Sequence, residues 1–226
     1  KVTSLSFSCE IGGSATFDNS GVYTKSGSAV TTIGIAFDNT SGGAGTGVVN
    51  IDAGTLALTG GGSSNGSFQG AGTLNFGGGV YNLAAGSSIA NPNVVFASGT
   101  TNVGGAYNVS GSTTVNGGTA NFTGSVANTG GSLSVSSGSA NFSNAAGVTV
   151  SSLALSGGSV GGTQDLSVTG ATTWTAGTMT GSGRTLANGT LVISGASVKD
   201  ITGGRTLSAS NTTWTNTGAS NGRIRT

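Results

Sequence analysis

The chain has 226 residues, of which Gly, Ser, Thr and Asn supply 45, 34, 34 and 19. Charged residues make up 6%, the net charge is +1 and histidine is absent, which excludes Ser-His-Asp and Cys-His nucleophilic catalysis, His-ligated zinc or haem, and His-based pH switching. So weak a charge gives no steering towards nucleic acid or an anionic membrane, and the composition reads as secreted, β-rich or low-complexity, and non-enzymatic.

At the start, Lys1-Val2-Thr3 carries no charged-then-apolar leader, and no apolar run anywhere reaches the ~18 residues of a membrane helix. The expectation is a mature exported product or a piece of a longer chain. Cys9 is the one cysteine, so no internal disulfide forms. It reads as a small apolar packing residue, with an intermolecular bond or lipid attachment as the sharper alternative.

Phe17-Asp18-Asn19 recurs as Phe37-Asp38-Asn39. Asp18 and Asp38 are the acidic pair that this repeat brings together. Stacked on adjacent coils they would raise one pKa or attract a cation, but Asp-Asn at a corner is good turn chemistry, and we favour the turn. Lys25 and Asp52 could join such a cluster, though nothing in the sequence puts them on its face. Between Asp52 and Asp165 there is no Lys, Arg, Asp or Glu, so hydroxyls and amides must solvate that long stretch.

Within it Tyr81-Asn82-Leu83, Thr101-Asn102-Val103, Ala120-Asn121-Phe122 and Ala140-Asn141-Phe142 space their asparagines by 20, 19 and 20. Val115, Val135 and Leu155 form a second column with steps of 20. Further on, Thr172-Thr173-Trp174-Thr175 recurs as Thr212-Thr213-Trp214-Thr215 after 40, with Ile193 between, and Arg184-Thr185-Leu186 recurs as Arg205-Thr206-Leu207 after 21. One period of about 20 therefore runs through the chain.

Leu133-Ser134-Val135, Val148-Thr149-Val150, Leu153-Ala154-Leu155 and Leu166-Ser167-Val168 alternate apolar and small polar residues as strands do, and corners such as Asn116-Gly117-Gly118 and Thr129-Gly130-Gly131 tolerate positive φ. An antiparallel meander would use those corners as hairpin turns. It gives no reason for position 121 to resemble position 141, whereas a solenoid places one over the other. The fold expected is all-β: one continuous parallel β-helix over 1–226, right-handed as parallel crossovers are. It has about 20 residues per coil and about 11 coils, with residues 218–226 as an irregular basic tail. Asn82, Asn102, Asn121 and Asn141 should form a hydrogen-bonded ladder, and Phe122 should stack on Phe142.

Thr173-Trp174-Thr175-Ala176-Gly177-Thr178-Met179-Thr180-Gly181-Ser182-Gly183, Gly204-Arg205-Thr206-Leu207 and Gly117-Gly118-Thr119-Ala120-Asn121-Phe122 resemble repeats of very large bacterial surface proteins of the β-strand-repeat, autotransporter-passenger-like or haemagglutinin-like kind. The resemblance covers residues 48–217. It implies an exported, elongated β-helical stalk or adhesin segment and brings no catalytic residue with it.

Gly157-Gly158-Ser159-Val160-Gly161 matches the G-x-S-x-G of a hydrolase elbow, but without histidine or a following helix it reads as a corner. Six acidic residues are too few for a calcium-binding β-roll. Thr172, Thr173, Thr175, Thr178 and Thr180 are dense, yet no Thr-x-Thr pair recurs in every coil as an ice-binding array would require. Trp174 and Trp214 are candidate carbohydrate contacts, with core packing the favoured reading. No cofactor, metal or catalytic residue is expected. The function expected is a non-catalytic extracellular structural or adhesive solenoid, such as a surface stalk, adhesin or fibre subunit. A carbohydrate-active or carbohydrate-binding β-helix, tail-spike or lyase-like, is the alternative. Expected partners are coils of the same parent chain or identical subunits stacked end to end, and a cell-surface or matrix polysaccharide, without nucleic acid or a membrane span.

Overall fold

The structure, a computed structural model, describes residues 15–40, 47–144, 146–215 and 223–226 and the backbone of Val2–Thr3. Cys9 lies outside the described residues, as do positions 218–222 of the segment read as a basic tail. Within the rest of that segment Ile224–Arg225 is a short strand paired with Lys199 and Asp200.

Small and β-branched residues alternate in short runs here, and glycine breaks every helical window, so the backbone is left with strand geometry. The strands pair in parallel throughout, and the chain winds as a β-solenoid of about 10 turns, successive turns lying roughly 20 residues apart. At ~4.8 Å per turn this makes a rod about 50 Å long.

A turn carries strand on three faces. In one of them Ala106–Val109 lies on the first face, and the single strand Ser112–Phe122 then bends across the second and third. The bend is a bulge: the register with the next turn slips at Val115/Asn116 and again at Asn116/Thr119. Its recurrences carry a left-handed glycine, with φ of 65° at Gly79, 71° at Gly99, 74° at Gly138, 60° at Gly158 and 90° at Gly177. A bulge in αL geometry is where glycine spares a strand the cost of a Cβ.

Register elsewhere mostly follows the sequence period, and two of the departures bear on what faces outward. Val30 pairs with Thr55, a longer step than the period, because that turn holds extra residues between Asn39 and Val48. The two Arg-Thr-Leu triplets do not superpose: Arg184 stands opposite Thr206, not Arg205. A shift of one residue reverses the face, so Arg184 points outward and Arg205 is buried. The first-face ladder runs from Val2–Thr3 to Val126–Thr129 and resumes from Val148–Val150 to Leu166–Val168 and Arg184–Ala187. Among the described residues no ladder joins Val126–Thr129 to Val148–Val150.

Inward residues of all three faces merge into one apolar core from Tyr23 to Ile193. Its columns hold like with like. Phe122 stacks on Phe142 with ring centroids 4.7 Å apart and planes 8° off parallel, and Phe76 stacks on Phe96 at 5.5 Å and 13°. Tyr107 donates from its hydroxyl to Thr113, whose own hydroxyl donates to the Thr129 carbonyl (2.8 Å each), so the buried phenol is satisfied inside the rod.

Gly99 tests the bend. A Cβ there would meet the Gly79 carbonyl oxygen in the turn below, on a residue already at positive φ. Gly99→Ala should lower the unfolding free energy by at least about 1–2 kcal/mol, while Gly86→Ala, which meets only the Asn65 oxygen at 3.7 Å, should be close to neutral. Chemical denaturation of the two variants compares them directly.

Candidate functional site

The third face presents two outward rows of polar side chains along the rod. One row runs Asp18, Asp38, Ser63, Asn82, Asn102, Asn121 and Asn141, each in register with the next. The other, two residues earlier on each strand, runs Thr100, Thr119, Ser139, Ser159 and Thr178. Alternation alone puts both rows outside, because the residues between them (Thr101, Ala120, Ala140, Val160, Met179) are buried.

The amide row is an axial hydrogen-bond chain over part of its length. Asn102 Nδ2 donates to Asn82 Oδ1 (2.8 Å), and Asn121 Nδ2 donates to Asn102 Oδ1 (2.9 Å). Asn141 stands in register above them and accepts from the Ser143 hydroxyl at 3.0 Å. An amide that spends one N–H and one lone pair on its ladder neighbours keeps the other N–H and lone pair for what lies outside.

Asp18 and Asp38 sit within strands, in register, and so are not the turn residues their Asp-Asn sequence suggests. The asparagines beside them face inward instead. Asn19 Nδ2 donates to Asn39 Oδ1 at 2.8 Å, and Asn39 Nδ2 donates to the Ser64 hydroxyl at 3.2 Å, so a buried ladder satisfies the amides that a turn would otherwise have used. The carboxylates are engaged locally. Asp18 accepts from the Thr40 hydroxyl (3.0 Å), and Asp38 accepts from the Ser63 amide N–H (2.7 Å) and hydroxyl (2.8 Å). Lys25 does not join them. It is buried off the first face, where its ammonium donates to the carbonyls of Gly27 (2.6 Å) and Ala53 (3.0 Å), while Asp52 is exposed. Among the described residues no three His, Cys, Asp or Glu cluster as metal ligands would.

Trp174 is 0% exposed, in a column with Leu155 and Ile193, and its Nε1 donates to the Gly177 carbonyl at 3.2 Å. A ring closed in on both sides offers no face to a sugar, and Trp174 is placed in the core, the reading favoured for it over a carbohydrate contact. Trp214 covers Ile193 in the same column and is 47% exposed, because no further strand lies over it among the described residues. Ser159, the serine of the G-x-S-x-G match, donates to the Ser139 hydroxyl at 2.9 Å within the outer row.

Two exposed ion pairs, Arg184–Asp165 and Arg225–Asp200, link neighbouring turns near the C-terminal end. Hydrogen bonds from the arginines hold both carboxyls below the ordinary carboxylate range. Whatever stability the pairs add is present at neutral pH and is lost as the pH falls through those lowered values. Burial pulls Lys199 and Arg205 below their usual values. Each is held by carbonyls: Lys199 by those of Gly195 (3.3 Å) and Ser197 (2.9 Å), and Arg205 by those of Gly162 (3.2 Å), Thr180 (3.2 Å) and Arg184 (3.0 Å), with a fourth bond to the Thr185 hydroxyl (2.8 Å).

Shallow depressions follow the edge where the third face turns into the first. One of about 420 Å³ is bordered by Asn82 and Asn102 on its outer side and floored by Ala84 and Gly104. A second of about 310 Å³ meets it at Thr123 and reaches Asn144. A third of about 270 Å³ lies beside Asn141 and Thr180.

Compared with protein families, curated proteins and solved structures, the chain has no significant match in any of the three. Its geometry shows no convergence of acid, base and nucleophile among the described residues. Asn19, Asn39, Arg205 and Asn144 are among the buried polar residues whose burial sequence reasoning passed over. Asn19 and Asn39 were legible in the match between the two Phe-Asp-Asn triplets, whereas Arg205 could be found only from the register.

Arg205 makes four hydrogen bonds out of solvent, and Arg184 one exposed pair, so their truncations should separate. Arg205→Ala should cost about 2–4 kcal/mol, since it removes four hydrogen bonds and the packing of a long side chain from a buried site. Arg184→Ala should barely move the transition, as exposed pairs contribute little. Urea unfolding at neutral pH measures both.

Proposed function

We propose that this chain is a non-catalytic extracellular β-solenoid rod, serving as a stalk, adhesin segment or fibre subunit. The observation that carries this reading is the pair of outward rows on the third face. Hydroxyls and amides repeat there turn after turn, and no charged residue occurs between Asp52 and Asp165. A surface this regular presents many equivalent weak contacts along a line, which suits adhesion by multivalency rather than turnover at one point.

The repeats around Trp174 and Gly117 resemble those of bacterial β-strand-repeat, autotransporter-passenger-like and haemagglutinin-like surface proteins, and that resemblance favours export and cell-surface display. The rod should be continued by further coils of a parent chain or by identical subunits end to end. The inward-facing Trp214 is half exposed, and among the described residues no strand pairs with the outer edge of Thr206–Thr215, a ladder edge that another strand can satisfy. A net charge of +1 makes nucleic acid an unsuitable partner. No helix among the described residues is long and apolar enough to cross a membrane.

A lyase or hydrolase on this scaffold would need two acidic groups converging on one bond. Asp18 and Asp38 are stacked along the rod instead, with oxygens of both already accepting hydrogen bonds from Thr40 and Ser63. Incubation with a panel of neutral and acidic polysaccharides should release no shorter product detectable by chromatography. Cleavage that disappears in Asp18→Asn or Asp38→Asn would overturn the non-catalytic reading.

A further inference from the structure

The chain contains the Asn-Gly pairs Asn65-Gly66, Asn116-Gly117, Asn188-Gly189 and Asn221-Gly222, the last outside the described residues. In such a pair nothing on the glycine shields the asparagine amide from the backbone nitrogen that follows it. An asparagine with room to bend back on its own chain therefore loses its amide nitrogen slowly in water. A paired strand denies that room, because its backbone is pinned in extended geometry.

Asn116-Gly117 stands at the bulge between the second and third faces, where the ladder lapses on both sides. Against the preceding turn the register passes from Phe96 opposite Val115 to Thr100 opposite Thr119, so neither Asn116 nor Gly117 has a ladder partner there. Against the following turn Asn116 stands opposite Ser137, and Gly117 again has none. A bulge leaves its extra residues unpaired and its backbone bent out of strand geometry. Both residues are exposed, and the Asn116 side chain makes no hydrogen bond among the described residues.

The other two described pairs are restrained. Gly66 is buried, and its N–H, the group that would have to attack, donates to the Asn39 carbonyl (3.2 Å) and the Ser64 hydroxyl (3.1 Å). Asn188 also lies at a bend, but its Nδ2 donates to the Ser167 hydroxyl at 2.8 Å, which ties the amide to the turn before it.

We propose that Asn116 is a site of spontaneous backbone-assisted deamidation, a modification site built by the bulge. The Gly117 backbone nitrogen gives up its proton to solvent and bonds to Asn116 Cγ. The Cγ–Nδ2 bond breaks, and Nδ2 takes a proton from solvent and leaves as ammonia. Water then opens the five-membered imide at one carbonyl or the other, giving aspartate or isoaspartate. Either product places a negative charge between Asp52 and Asp165, where the sequence has no charged residue. The isoaspartyl form also lengthens the backbone by one atom, at a point where the register already slips. This inference goes beyond the adhesive reading and does not depend on it.

Peptide mass spectrometry of the full chain, aged in mildly alkaline water labelled with heavy oxygen, tests the assignment. The label separates carboxylates formed during ageing from those present at the start. In the folded chain Asn116 should convert at least about tenfold faster than Asn65, with Asn188 between them. In urea the three pairs should convert at similar rates, because the restraint on Asn65 and Asn188 is lost with the fold. Asn116→Gln, which would have to close a larger ring, should abolish the gain at this position, with circular dichroism showing the variant folded. Faster conversion of Asn65 or Asn188 in the folded chain would overturn the assignment. So would conversion of Asn116 no faster than that of the ladder residue Asn121, or a lead for Asn116 that persists in urea.

Discussion

The parallel ladder sets the terms for everything else in this molecule. Each residue lies against its equivalent one turn away, so a side chain must be compatible with a near-copy of itself at a spacing of ~4.8 Å. Asparagine meets this condition by donating to one neighbour and accepting from the other, as Asn82, Asn102 and Asn121 do. Phenylalanine meets it by stacking, as Phe122 and Phe142 do. Charged residues meet it poorly, because like charges repeated along a column repel, and Asp18 over Asp38 tolerates this only at an exposed row where each accepts hydrogen bonds from hydroxyls. A chain with 6% charged residues is what this constraint leaves. Its ion pairs, Arg184–Asp165 and Arg225–Asp200, alternate sign between turns.

The same constraint explains how the rod accommodates polar groups in its interior. Asn19 and Asn39 form an inward ladder at one end, Tyr107 and Thr113 form a network in the middle, and Arg205 gathers three carbonyls near the other end. Each is satisfied by neighbours within its own turn or one or two turns away, so the solenoid can bury polarity that a small globular core would have to exclude. Among the described residues six buried side-chain oxygens, those of Thr31, Asn75, Asn91, Thr129, Asn144 and Thr172, are left without a partner along the rod.

Repetition shapes the functional reading as well. Catalysis needs unlike groups brought to one point, and a ladder spreads like groups along a line. The two outer rows of the third face repeat their chemistry turn by turn, which favours an extended partner over a small molecule. The exposed Trp214 and the open strand Thr206–Thr215 suit continuation of the rod in the same way.

Period and alternation in the sequence were enough to determine a parallel β-solenoid with one repeat per turn, and the columns of Asn82 to Asn141, Phe122 with Phe142, and Asp18 with Asp38. Side-chain direction in a strand has period two, and identical neighbours one turn apart leave a visible repeat. The tertiary structure alone decided what depends on a slip of one or two residues. The register that sets Arg184 opposite Thr206 fixes which of Arg184 and Arg205 is outside, although both open the same triplet. It also decided that Trp174 is enclosed while Trp214 is open, because burial in a column depends on having a turn above as well as below.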